Sequence, residues 1–163
     1  MKTLILVRHA KSSWEFDVGD RDRPLKKRGI NDANLVSNDF KKDNFQPDVV
    51  FSSPANRAYS TCKIFVDNLN LPKDKIQITE QLYDFGGHGV LNFVKNLNDE
   101  LDKVIIFGHN HAFTSVSNQL GNRDIENLPT SGLVKINFEI DSWHDLQPGD
   151  TELIITPRDL KTP

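Results

Sequence analysis

Apolar and polar residues alternate along this chain in blocks, and the blocks predict its elements. Leu4 to Val7 is a short continuous apolar run rich in branched side chains, the pattern of a strand buried on both faces. Asp48-Val49-Val50-Phe51 repeats it, Lys75 to Thr79 repeats it more weakly, and Val104-Ile105-Ile106-Phe107 is a fourth run, ended by Gly108. Leu133 to Ile140 differs. Leu133, Lys135, Asn137 and Glu139 alternate there with Val134, Ile136, Phe138 and Ile140, which predicts a half-exposed strand. Glu152 to Thr156 is the last strand. Turn residues crowd Asp141 to Asp150, so these two strands are expected to pair as an antiparallel hairpin at a sheet edge.

The gaps between strands carry helical spacing. Asn31 to Lys42 places Ala33, Leu35, Val36 and Phe40 on one face. Ser53-Pro54 predicts a helix start, with Ser53 capping the free N–H groups and Pro54 in the first turn. Ala58, Thr61, Cys62 and Phe65 mark the buried side of that helix, and Val90, Leu91, Val94 and Leu97 form another stripe. His111 to Leu120 predicts a short helix after the fourth strand. Alternating strands and helices predict an α/β fold, a three-layer α/β/α sandwich with a mostly parallel sheet. The 163 residues suit one domain, 1–163, with about 157–163 as a loose polar tail. The polar stretch from Lys11 to Lys27 lacks periodicity, and loops of that length are functional or mobile.

Composition narrows the function. A net charge of −3 gives no basic field for nucleic acid or an anionic membrane, so neither is expected as a partner. Any anion site must come from a local cluster of Arg, Lys or backbone N–H groups. The single cysteine, Cys62, excludes an intramolecular disulfide and fits a reducing compartment. Four apolar residues before Arg8 are too few for a signal-peptide core or a membrane span. A cytoplasmic location is therefore expected.

The chemistry sits at strand ends. In open α/β sheets, ligands bind beyond the carboxyl ends of the strands. Leu4 to Val7 is followed by Arg8-His9. Val49 to Phe51 is followed by Ser52-Ser53-Pro54 and then Arg57, and Val104 to Phe107 by Gly108-His109-Asn110. If these strands are neighbours, two His and two Arg converge on one rim. A neutral imidazole can attack phosphorus, and the phosphohistidine is then hydrolysed by water. Arg makes bidentate, permanently charged contacts to phosphate oxygens, and two of them stabilise the charge on the transferring group.

These same residues carry a resemblance. Leu6-Val7-Arg8-His9-Ala10-Lys11-Ser12 resembles the signature of the histidine phosphatase superfamily, also called phosphoglycerate-mutase-like. Asp22-Arg23-Pro24-Leu25 with Arg28-Gly29 and Ala33 resembles its next block. Ser52-Ser53-Pro54-Ala55-Asn56-Arg57-Ala58 with Thr61-Cys62 resembles the third, and Phe107-Gly108-His109-Asn110 the fourth. The order and spacing match over residues 4 to about 111. The short length and the Arg23-Pro24-Leu25 block are most similar to the SixA-type phosphohistidine phosphatases. The resemblance implies that His9 is the phosphorylated nucleophile, that Arg8 and Arg57 bind phosphate, that His109 completes the pocket, and that Arg23 lies near the phosphate. It implies a metal-independent enzyme without cofactor, acting on phosphohistidine, with a phosphorylated protein as partner. A phosphatase of small phosphomonoesters is the alternative, and a non-catalytic module binding phosphorylated ligands is the rival of another class.

Several residues test these implications. Glu15 stands where mutase-type members carry a phosphate-contacting asparagine, so that contact is expected to be missing. Glu80 is the positional candidate for the general acid that many members use, with Asp84 and His88 nearby in the Gly-rich segment Tyr83 to Gly89. None is assigned that role, because a phosphoramidate leaves more readily than an alkoxide. Cys62 is expected as core filler. His9, His109 and His111 do not suggest a metal site, because Arg8 and Arg57 would repel a cation. Trp14 is expected to pack or anchor its loop, and Lys26-Lys27-Arg28 to form a solvated helix entry.

Overall fold

Successive residues of the first strand point into two different cores. The computed structural model describes residues 1–161. Its first strand, β1 (Lys2–Arg8), sends Leu4 and Leu6 to one side and Ile5 and Val7 to the other. This is the period-two geometry of a strand buried on both faces. The remaining strands are β2 (Val49–Ser52), β3 (Ile76–Ile78), β4 (Lys103–Gly108), β5 (Leu133–Phe138) and β6 (Asp150–Ile155). They form one sheet in the order β3-β2-β4-β1-β5-β6. The first four run parallel, while β5 and β6 pair antiparallel at one edge.

Helices cover both faces. On one side lie α1 (Lys27–Phe40) and α2 (Asn56–Asn68), whose Ala33, Val36, Phe40, Cys62, Phe65 and Val66 meet Ile5, Val50 and Ile105. On the other lie α3 (His88–Lys95) and α4 (Ala112–Leu120), whose Val90, Val94, Phe113 and Val116 meet Leu4, Leu6 and Ile106. Each fully buried apolar side chain contributes about 1.5–3 kcal/mol relative to exposure. The two clusters therefore hold the three layers together. Cys62 is fully buried among them, and burial pushes its thiol up to about 12. None of the helices described is long and apolar enough to cross a membrane.

Three elements differ from the sequence expectation. The strand expected to be half-exposed, β5, is buried almost throughout: Lys135 is only 8% exposed, because its ammonium group lies 3.0 Å from Asp43 and 2.8 Å from Glu152. A paired charge can be buried where a lone one cannot. Helix α2 starts at Asn56, not at Ser53-Pro54, and Ala55 precedes it without a side-chain cap. Part of the expected loose tail forms a one-turn helix, α5 (Pro157–Leu160), where the Thr156 hydroxyl accepts the Asp159 N–H and Leu160 packs against the α1–α2 core. Residues 162 and 163 of that tail lie outside the described residues.

Candidate active site

The sheet order makes β2, β4 and β1 neighbours, so their carboxyl ends open side by side. Arg8 and Gly108 are register partners across β1 and β4, and the His9 N–H extends that pairing to the Gly108 carbonyl at 3.0 Å. The Ser53 N–H donates to the Phe107 carbonyl at 3.0 Å, tying the end of β2 to β4. His9 and His109 therefore meet, with ring centroids 5.2 Å apart. They are 8% and 0% exposed, and Arg57 is 2% exposed.

Each imidazole has a defined proton position. Nδ1 of His9 lies 2.8 Å from the Ala10 carbonyl oxygen. A carbonyl only accepts, so the ring proton sits on Nδ1 and the lone pair on Nε2. Nε2 of His109 lies 2.8 Å from the Ser53 hydroxyl, which also accepts the Ala55 N–H at 3.2 Å. With the Ser53 hydroxyl donating to His109 Nε2, the His109 ring proton sits on Nδ1. Sequence reasoning missed this role of Ser53, since Ser-Pro before a helix reads as a cap.

The surroundings suppress charge on both rings. Burial, opposed by the hydrogen bond to Ala10 and reinforced by Arg57, Arg8 and Arg23, brings His9 down to about 3. Burial, with His9 and Arg57 beside it, brings His109 to about 3 as well. Both imidazoles are neutral at neutral pH, the form in which one ring nitrogen keeps a free lone pair.

Two supports brace the floor. The Ala10 N–H donates to Thr61 Oγ1 at 2.8 Å, and that hydroxyl donates to the Arg57 carbonyl at 2.7 Å, linking the end of β1 to α2. The Ser131 N–H donates to the carbonyls of Arg8 and His9, at 3.1 and 3.2 Å, and Arg8 Nη1 donates to the Leu128 carbonyl at 2.7 Å. Besides the Ser131 hydroxyl, three ring or guanidinium nitrogens of the cluster remain unused. Arg8 Nε, Arg57 Nε and His109 Nδ1 are buried with no hydrogen-bond partner among the described residues. Buried donors are normally paired, and these three lie on residues close enough to act on one another's charge, an arrangement that can receive an anion.

The rim comes from two loops. Asp20 carries much of it: its carboxylate lies 2.9 Å from Arg57 and 3.4 Å from Arg23, and it accepts the Tyr83 hydroxyl at 2.6 Å. Arg57 also donates to the Asp20 main-chain carbonyl at 2.6 Å. Burial works against this carboxylate, but Tyr83 and Arg57 hold it down at about 2. Asp20 and Tyr83 gave no signal in the sequence. Arg23 is buried, donates to Ser12 Oγ at 2.8 Å, and joins the cluster through Asp20. Gly29 permits the loop beneath it, since a Cβ there would lie 2.2 Å from the Lys11 carbonyl oxygen. Trp14 is not packed away: it is 75% exposed, with the Arg23 guanidinium 3.5 Å from its ring centroid. Glu15 and the run Lys26-Lys27-Arg28 are exposed.

The candidate acids are occupied elsewhere. Glu80 is exposed and ion-paired with Arg21. Asp84 accepts the N–H groups of Gly86, Gly87 and Val90. His88 is the exposed first residue of α3. None of the three stands ready as a proton donor in the floor.

Known proteins share this frame. A family model described as the histidine phosphatase superfamily (branch 1) matches residues 4–88. An uncharacterized protein of Mycobacterium tuberculosis (strain ATCC 25618 / H37Rv) is 27% identical over 158 residues, which cover 91% of this chain and 96% of that one. A 2,3-bisphosphoglycerate-dependent phosphoglycerate mutase of Allorhizobium ampelinum is 40% identical over 70 residues, but these cover only 41% of this chain and 33% of the mutase. Among solved structures, the protein histidine phosphatase SixA complexed with tungstate superposes with a TM-score of 0.81 at 22% identity, covering 98% of this chain and 99% of that one. A phosphoserine phosphatase from Entamoeba histolytica, in complex with 3-phosphoglyceric acid, gives 0.62 at 18% identity, covering 98% and 100%. At these identities the two structures show a shared fold.

Proposed function

The chain belongs to the histidine phosphatase superfamily, and from that membership we propose that it is a phosphatase that removes phosphate from phosphohistidine on a protein through a phosphohistidine of its own at His9. The observation that carries this reading is the pairing of a neutral His9, its Nε2 lone pair free, with three unused buried donors on Arg8, Arg57 and His109.

The reaction follows from those positions. His9 Nε2 attacks phosphorus, the bond to the leaving group breaks, and its electron pair departs with that group. Arg8, Arg57 and the Nδ1–H of His109 hold the charge on the equatorial oxygens, with Arg23 adding positive charge at the edge. Water then attacks the phosphohistidine, releasing inorganic phosphate and neutral His9.

Substrate class is argued from the proton donors. An alkoxide leaving group needs a proton donor beside it, and a carboxylic acid is one that serves. Here Asp20 is held ionised, Glu80 is paired with Arg21, and Asp84 is spent on backbone N–H groups. An imidazole whose other ring nitrogen carries a proton leaves as a neutral molecule and needs no such acid. The exposed Trp14, beside Arg23, and Phe85, beside His109 and Tyr83, suit contact with a protein surface. The SixA likeness supports the same class.

The test is turnover of a phosphohistidine peptide against turnover of 3-phosphoglycerate, with His9→Ala as control. We expect the peptide to be favoured by about 10²-fold, the scale of a missing general acid, and both activities to vanish in the variant. Preference for the alkyl ester would overturn the substrate assignment in favour of a small-molecule phosphatase. Tight binding of the phosphopeptide without turnover would favour a binding module.

A further inference from the structure

Phe85 is 46% exposed, yet its loop is pinned. The Asp84 carboxylate accepts the N–H groups of Gly86, Gly87 and Val90 at 3.2, 3.0 and 3.0 Å. Gly87 adopts a φ of +115° there, a conformation that only glycine takes without strain. The Phe85 ring lies 4.8 Å from the His109 ring and 5.3 Å from Tyr83, and Tyr83 lies 5.3 Å from His109. Tyr83 is fixed in turn through Asp20. Phe85 belongs to neither apolar core. The pinned loop stands one aromatic face in water beside His109.

We propose that the outer face of Phe85, backed by Tyr83, is the leaving-group subsite, and that it takes a flat aromatic ring bonded to the phosphorus. This rests on the phosphohistidine reading above and names the feature of the substrate that is recognised. In-line displacement puts the leaving group on the far side of phosphorus from the attacking nitrogen. His9 lies at the buried floor, so that far side is the open mouth, where Phe85 stands. Aromatic rings attract one another at centroid separations of about 4.5–7 Å in offset or edge-to-face arrangements. The His9–phosphorus bond forms as the bond from phosphorus to the ring nitrogen breaks. The pair stays on that nitrogen, the other ring nitrogen already holds the proton, and a neutral imidazole is released against Phe85.

Four small substrates separate ring recognition from bond chemistry. Phosphoimidazole and phosphoramidate both break a P–N bond, but only the first has a ring. p-Nitrophenyl phosphate and acetyl phosphate both break a P–O bond to a good leaving group, and again only the first has a ring. In Phe85→Ala, kcat/KM for the two ring substrates should fall about five- to tenfold, the scale of one aromatic contact, with the ringless pair changed less than about twofold. Phe85→Tyr should restore the ring substrates and Phe85→Leu should not, while Ile30→Ser, an exposed apolar change on α1, should behave as wild type. An equal fall for all four substrates, or full rescue by leucine, would overturn the subsite and leave the phosphatase reading standing. Wild-type protein inert toward both P–N substrates would overturn that reading and this inference with it.

Discussion

The floor and the rim of this site are built in opposite ways. The floor residues, His9, Ser53, Arg57 and His109, are at most 8% exposed; His9, Ser53 and His109 follow directly on β1, β2 and β4, and Arg57 lies in the first turn of α2. Main-chain hydrogen bonds of the sheet position the first group, the helix positions Arg57, and low solvent access strengthens every charge among them. At the rim, Asp20 and Tyr83 belong to two loops and meet through side chains alone, and Asp20 is 43% exposed. Interactions so open to water are worth little each. On the proposed function, the floor would supply the chemistry and the rim the orientation and choice of substrate.

That division can be broken by paired substitutions. Arg57→Ala removes the buried donor and should lower kcat/KM by about 10²–10³-fold, the scale of one lost oxyanion contact. Asp20→Asn removes the charge that faces Arg57 and Arg23 but keeps an oxygen acceptor and the main-chain carbonyl bond to Arg57. Its effect should stay within about fivefold, because the Asp20 side chain is 43% exposed and the main-chain bond to Arg57 remains. Vanadate affinity measured on the same variants should follow the same order. Equal losses would mean that the rim carries the phosphate as much as the floor does.

Acid separates the two regions by pH. His9 and His109 sit at about 3 in the fold against an ordinary 6.5. Between those values the unfolded chain binds protons that the native state does not, so stability is complete above about 6.5 and falls as pH drops toward 3. Asp20 is depressed from 3.8 to about 2, so its contribution is present above 3.8 and lost only as pH falls toward 2. The melting temperature should decline between pH 6.5 and 4.5, and Asp20→Asn should leave that decline unchanged. A melting temperature that is flat over that interval would contradict the buried neutral imidazoles.

The floor was legible in the sequence because it is written locally. An apolar run predicts a strand, and the next residues must stand at its end, which puts Arg8-His9 and Gly108-His109 at strand ends from the sequence alone. The rim was not legible. Asp20 reaches Arg57 across 37 residues and Tyr83 across 63, and no periodicity encodes such pairs. Lys135 misled for the same reason, since the charges that let it be buried come from Asp43 and Glu152. Ser53 misled differently. Its local meaning as a helix cap was sound chemistry, but the helix begins only at Asn56, four residues after β2 ends at Ser52, and the hydroxyl lies beside His109 instead.

The central claim is that phosphorus passes through His9. Brief exposure of the protein to radiolabelled phosphoimidazole, quenching in alkali to preserve a phosphoramidate bond, and peptide mapping test it directly. The label should sit on the peptide carrying His9 and be missing from His9→Ala. Label on any other residue, or undiminished turnover by His9→Ala, would contradict it.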